Sequence, residues 1–190
     1  MTQPQAPFDG RRILLGITGG IAAYKAADLA SKLTGAGAAV RTIMTEAACR
    51  LIGPPTLAAV TGQPVYTSLW TGPDDCTINH IQLVDWADGI VIAPATANII
   101  GKIANGICDD LLSTTLCTCW DTNVLLAPAM NSRMWANPIV QRNVGILTEQ
   151  LNYKSVGPET GRLACGTSGV GRMAEVPAII EAVAALLNVT

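Results

Sequence analysis

The sequence predicts an α/β domain in which a doubly wound parallel sheet is covered on both faces by helices, three layers in all. Short apolar runs of strand length alternate along the chain with segments of helical spacing, and glycine or proline punctuates most of the junctions. The strand runs are continuously apolar rather than alternating, which is the mark of strands buried on both faces. A chain of 190 residues with 49% hydrophobic and 14% charged content suits a single compact domain.

Residues 1–11 read as a polar, proline-containing arm, and the domain proper as 12–190. RRILLGIT (11–18) is the first strand, and GGIAAYKAADLASKL (19–33) follows as a helix with Ile21, Leu29 and Leu33 on one side. The glycines of GAGA (35–38) stop that helix. AVRTIM (39–44) is the second strand, and TEAACRLI (45–52) a short helix closed by Gly53, Pro54 and Pro55. TLAAVTG (56–62) begins another helix, after which 64–77 shows no clear period and reads as a loop with one short strand. NHIQLVDWAD (79–88) returns to helical spacing. GIVIAP (89–94) is the third strong strand, ANIIGKIANG and DDLLSTTLCTCW are helical, and NVLLAP (123–128) is the fourth. NPIVQRNVGILTEQL (137–151) is a helix, followed by a short strand near YKSVG. Glycines punctuate 157–171, giving a flexible flap over about 157–173, and VPAIIEAVAALL (176–187) closes the chain as a helix with Pro177 in its first turn.

Charge and cysteine content narrow the function. A formal net charge of −2 without a Lys/Arg cluster argues against nucleic acid and anionic membrane as partners. No apolar run reaches the roughly 18 residues of a membrane-spanning helix, and Met1–Gly10 lacks the pattern of a signal peptide, so the cytoplasm is the expected location. Six cysteines in a chain with this much core do not require disulfides. Cys117 and Cys119 form a CxC without further ligand-spaced Cys or His. They read, with Cys49, as core residues, and no metal site is expected.

Several segments carry chemistry. In GITGGIAAYK (16–25) glycines join a strand to a helix, which suits a phosphate at the helix N-terminus and equally suits a tight, ligand-free turn. Gly16, Gly19 and Gly20 do not make GxGxxG, and no acidic residue closes the second strand, so a mononucleotide such as FMN is favoured over NAD. GIVIAPATAN and NVLLAPAMN both carry a strand through proline into an amide, Asn98 and Asn131, at the strand ends where α/β ligands sit. Asn131 is also a natural helix cap. His80, the only histidine, is either a surface or capping residue or a general acid–base group. Cys165, among Gly161, Gly166, Gly169 and Gly171, is either an incidental loop thiol or part of a water-excluding lid.

Taken in order, GGIAAYK, the INHI histidine, APATANIIGKIANGICDDLL, APAMNSRMW and LACGTSGVGRM strongly resemble the homo-oligomeric flavin-containing cysteine decarboxylases, over roughly Arg12 to Leu187. The flap motif resembles the coenzyme A branch of that family, which acts on phosphopantothenoylcysteine, more than the peptidyl-cysteine branch of lantibiotic biosynthesis. The resemblance implies a flavodoxin-like/Rossmann-like fold and an FMN cofactor. It also implies a carboxy-lyase that decarboxylates 4'-phosphopantothenoylcysteine to 4'-phosphopantetheine through thioaldehyde and enethiol intermediates. In many bacteria such a domain is fused to a phosphopantothenoylcysteine synthetase domain, whose sequence does not occur in these residues.

By the same resemblance His80 assists oxidation and decarboxylation, and Cys165 donates the proton of the reductive half. Asn131 and Met134, with Ala164 and Gly166 of the flap, bind the substrate. Gly19, Gly20, Ile21 and Ala22 hold the FMN phosphate with Thr45 nearby, while Pro94, Ala95, Thr96, Ala97, Asn98 and Ala129 line the isoalloxazine. Relatives often have Ser where this chain has Ala22. The family assembles as trimers or larger assemblies of trimers up to dodecamers, with His80 reaching a neighbour's flavin. The alternatives are a peptidyl-cysteine decarboxylase, which would release an enethiol, a flavodoxin-like electron carrier, and a non-catalytic FMN-binding regulatory protein.

Overall fold

The computed structural model describes residues 6–71, 79–162, 164, 166 and 168–189. Six parallel strands form the sheet: β1 (Arg12–Ile17), β2 (Ala39–Met44), β3 (Val65–Tyr66), β4 (Gly89–Ala95), β5 (Val124–Pro128) and β6 (Lys154–Ser155). Their spatial order is β3-β2-β1-β4-β5-β6. The chain winds outward from β1 to one edge and returns through β4 to the other, so the topological switch point lies between β1 and β4. Side chains alternate between two cores. Ile13, Leu15 and Ile17 of β1 pack with Leu29 and Leu33 of α1 (Tyr24–Gly35), Leu57 of α3 (Pro54–Thr61) and Ile179 and Val183 of α9 (Val176–Leu186). Leu14 faces the other way, with Leu83 of α4 (Asn79–Trp86), Ile99 and Ile100 of α5 (Ala97–Ala104), and Leu112 and Leu116 of α6 (Leu111–Cys117). The same face carries α8 (Pro138–Gly145), which runs into a wider π-type turn at Ile146–Gln150. Gly16 marks a close approach, because a Cβ there would lie 2.7 Å from side-chain carbons of Ile92 and Leu112.

The expected doubly wound sheet is therefore present, and the departures are local. Ile21 does not share a face with Leu29 and Leu33. It lies in a 3-10 turn, Ile21–Ala23, ahead of α1 and is 64% exposed, because the glycine turn must unwind before the helix can start. Cys117 is exposed rather than core, since it occupies the last turn of α6 on the side away from Leu112 and Leu116, while Cys119 is fully buried and Cys49 half-buried. Pro54 and Pro55 open α3 at its first positions, where a missing N–H costs nothing, rather than only ending the helix before it, α2 (Glu46–Cys49). The segment read as an arm contributes Phe8, 1% exposed, whose N–H donates to the Ala36 carbonyl. Much of the glycine-rich stretch forms an antiparallel hairpin, β7 (Glu159–Arg162) and β8 (Ser168–Arg172). Leu163, Cys165 and Thr167 lie outside the described residues.

Candidate active site

The site is built where the strands end. Thr18, directly after β1, donates its hydroxyl to the Pro94 carbonyl at 2.6 Å and accepts from the Thr96 N–H at 3.3 Å. This small network ties the exits of β1 and β4 together across the switch point, where neighbouring strands diverge to leave a crevice. A third exit joins through backbone: the Ala129 N–H donates to the Ala95 carbonyl at 3.0 Å. The result is a cleft of about 1280 Å³. It is lined by the residues that follow the strand ends, by the first turns of helices and by residues 162–175, with apolar and polar groups both contributing.

On one side the glycine turn lines the cleft with Gly19, Gly20, Ile21 and Ala22. A Cβ on Gly19 would fall 2.3 Å from the Ala47 Cβ, so this position accepts only glycine without backbone movement. The first intrahelical bond runs from the Ala23 N–H to the Gly20 carbonyl at 2.8 Å, which leaves the N–H groups of Ile21 and Ala22 ahead of the helical ladder. Thr45, also in the wall, caps α2 by accepting from the Ala48 N–H at 3.2 Å. A hydroxyl that accepts in this way keeps its own proton to donate. The turn thus offers backbone and hydroxyl donors that fit an oxyanion such as a phosphate, with no side-chain hydroxyl at Ala22.

Opposite, Asn131 caps α7 (Ser132–Trp135), its side-chain oxygen accepting from the Arg133 N–H at 2.9 Å, and also lines the cleft. Capping and ligand-facing placement coexist because the cap uses the oxygen and fixes the rotamer. Thr96, Ala97, Asn98, Ala129, Met134, Ala164 and Gly166 line the same space. Pro94 and Ala95 do not: both are buried within β4, and a Cβ added at Gly20 would lie 3.5 Å from the Pro94 ring. His80 sits at the start of α4, half-buried, and is not among the residues lining the cleft of this one chain.

Sequence reasoning missed the charged part of the wall. Lys102 bonds Asp109 at 2.6 Å and Asp110 at 2.7 Å. Burial works against its ammonium, but the two carboxylates outweigh burial and hold its pKa above the ordinary lysine value. Lys25 pairs with Glu175 at 3.0 Å, which lowers the Glu175 pKa, and Arg172 bonds Glu159 at 2.8 Å. The available signal was spacing: Lys25 lies one turn past the glycines, and Asp110 caps an apolar helix.

A switch-point cleft with a glycine turn on one wall and amide-bearing strand exits on the other is the arrangement of a flavin-binding α/β protein. The chain belongs to the family described as Flavoprotein, whose model matches residues 1–188. It is 47% identical over 174 residues to the coenzyme A biosynthesis bifunctional protein CoaBC of Bacillus subtilis, an alignment covering 92% of this chain and 42% of that protein. The chain thus spans about two fifths of that relative's length. It is 41% identical to a probable phosphopantothenoylcysteine decarboxylase of Streptococcus mutans, with 90% of this chain and 96% of that protein covered. Among solved structures it matches a cysteine-to-serine variant of PPC decarboxylase complexed with pantothenoylaminoethenethiol, with a TM-score of 0.81 and 34% identity over 94% of this chain and 98% of the other. The FMN binding protein AtHal3 matches with a TM-score of 0.79 and 34% identity over 95% and 98%.

Proposed function

We propose that this chain is an FMN-dependent carboxy-lyase that converts 4'-phosphopantothenoylcysteine to 4'-phosphopantetheine in coenzyme A biosynthesis, working in the cytoplasm as a homotrimer or a larger assembly of trimers. The observation that carries this reading is the convergence of the Gly19–Ala22 turn and the β4 and β5 exits on one cleft, in a chain whose relatives bear that activity in their names. A bound flavin supplies a two-electron acceptor that returns its electrons later, so the bond to CO2 can break without an isolated carbanion. The residues of the chain do the rest. Ile21 and Ala22 N–H groups and the Thr45 hydroxyl hold the cofactor's phosphate, while Thr96–Asn98 and Ala129 border its ring. Asn131 orients the substrate carboxylate through a neutral amide, and Met134, Ala164 and Gly166 cover the cysteinyl end. His80 serves the oxidation and decarboxylation half from a neighbouring subunit, which accounts for its place off the cleft wall of its own chain. Cys165, in the flap, donates the proton that completes the reduction.

Incubation of the FMN-loaded protein with 4'-phosphopantothenoylcysteine, followed by mass spectrometry, tests this. Loss of CO2 with retention of all the substrate's hydrogens on the reduced product is expected. A product two hydrogens lighter would indicate the peptidyl-cysteine type of chemistry, and protein that never retains flavin would remove the mononucleotide reading altogether.

A further inference from the structure

The charged groups in the cleft wall are nearly all spent on one another. Lys102 is held by Asp109 and Asp110, Lys25 by Glu175, Arg172 by Glu159 and Glu175, and Glu46 by Arg50. Arg162 is the exception: it is exposed, lines the cleft, and makes no ion pair among the described residues. Its position is also distinct. Residue 162 pairs with Ser168 at the end of the hairpin where the chain passes from one strand to the other, while the opposite end is anchored where Glu159 pairs with Arg172. Arg162 is therefore carried on the same strand that leads into the flap residues Ala164 and Gly166, which line the cleft with it.

We propose that Arg162 is the specificity residue that receives the terminal phosphate of the substrate, a proposal that rests on the decarboxylase reading above. That substrate has two anionic ends, and they ask for different partners. A full cation on the carboxylate would stabilise the group that must leave as CO2, deepening the ground state rather than favouring the transition state. The neutral Asn131 amide suits that end. The phosphate takes no part in bond breaking, so a strong charge-assisted contact there supplies binding and register without opposing the reaction, and a guanidinium fork matches phosphate geometry. The cofactor's phosphate is served separately by the glycine turn. Of the cations that line the cleft, Arg162 alone can engage a dianion without first giving up a carboxylate.

The test compares 4'-phosphopantothenoylcysteine with its dephosphorylated analogue on FMN-loaded wild type, Arg162→Gln and Arg162→Lys. Arg162→Gln is expected to raise KM for the phosphorylated substrate by about tenfold to a hundredfold. Its kcat, its FMN content and its kcat/KM for the analogue should stay near wild type, and Arg162→Lys should recover part of the loss. An equal penalty on both substrates would show that Arg162 acts on the cysteinyl end or merely shapes the flap, and would overturn the proposal. So would an unchanged KM, or loss of FMN from Arg162→Gln. Wild-type protein that decarboxylates neither compound would instead overturn the decarboxylase reading on which the proposal stands, so the two failures are distinguishable.

Discussion

At the scale of single residues, protonation is set by neighbours, and the consequences can be measured. Asp88 takes the Arg12 guanidinium at 2.8 Å and the Arg12 backbone N–H at 2.8 Å, and the side-chain bond first of all lowers its pKa below the ordinary carboxylate value. A carboxyl with a depressed folded-state pKa contributes stability that is fully present above its unfolded pKa and is lost as pH falls through the folded one. Asp88→Asn should therefore be less stable than wild type in urea melts at about pH 7, with the difference vanishing by about pH 2. A difference that persists in acid would mean the side chain works through packing. Cysteines follow their burial: the Cys119 thiol is pushed up to about 12 by burial, which makes it unreactive at neutral pH. Asn131 makes a separate case. Asn131→Asp keeps a cap oxygen for the Arg133 N–H, so folding and FMN retention should survive. The added charge beside a substrate carboxylate should cut turnover by about a hundredfold or more. Normal turnover in that variant would reduce Asn131 to a helix cap.

Among elements, the hairpin shows how a segment can be hard to read in sequence yet firmly placed. β8 lies against the start of α7: the Met130 N–H donates to the Gly171 carbonyl at 2.9 Å, and a Cβ on Gly171 would meet the Met130 oxygen at 2.2 Å. Gly171 has φ +152, and Gly169 would put a Cβ 2.9 Å from that of Ser132. Gly171→Ala should therefore displace the hairpin from the cleft, at a cost of about 1–3 kcal/mol in stability. Turnover should fall further than FMN content, because the glycine turn lies elsewhere; unchanged turnover would show that the hairpin's contact with the Met130 backbone does not matter. The sheet itself was legible from continuous apolar runs such as GIVIAP and NVLLAP, since burial on both faces leaves a composition signal that needs no knowledge of partners. The glycines of β7 and β8 were visible too, but their pairing was not, because close approach to Met130 and Ser132 is a tertiary event with no local period. Ile21 failed for the related reason that its apolar side chain faces the cleft rather than a helix core, and Cys117 because helical spacing in an apolar stretch does not say which face is covered. The candidate site was legible where a residue type is tied to a strand exit, as for Asn131 and Thr45, and was not where wall residues such as Lys102 of α5 and Arg162 of β7 reach the cleft only through tertiary packing.

The whole molecule raises a question of completeness. One chain supplies a cleft with its glycine turn, Asn131 and hairpin, yet His80 stands on α4, outside the lining of that cleft. Large apolar side chains remain exposed at the cleft, Ile21, Tyr24 and Met134, and Ile81 is exposed next to His80 on α4. Exposed large apolar groups beside a site are surface that a second subunit would cover. If His80 of one subunit serves the cleft of the next, two inactive variants must complement each other. His80→Asn and Asn131→Asp should each be inactive alone while retaining FMN. Mixed, dissociated and reassembled, they should recover about a quarter of wild-type activity, because in a cyclic oligomer a site is intact only when its cleft comes from one variant and its histidine from the other. A CO2-release assay on the reassembled mixture reads this directly, and selection of mixed trimers by a tag should raise the value to about a third, since each then has one intact site among its three. No recovery in oligomers proven to be mixed would place His80 within its own chain's chemistry or outside the chemistry entirely, and the exposed face of α4 would then need a different explanation.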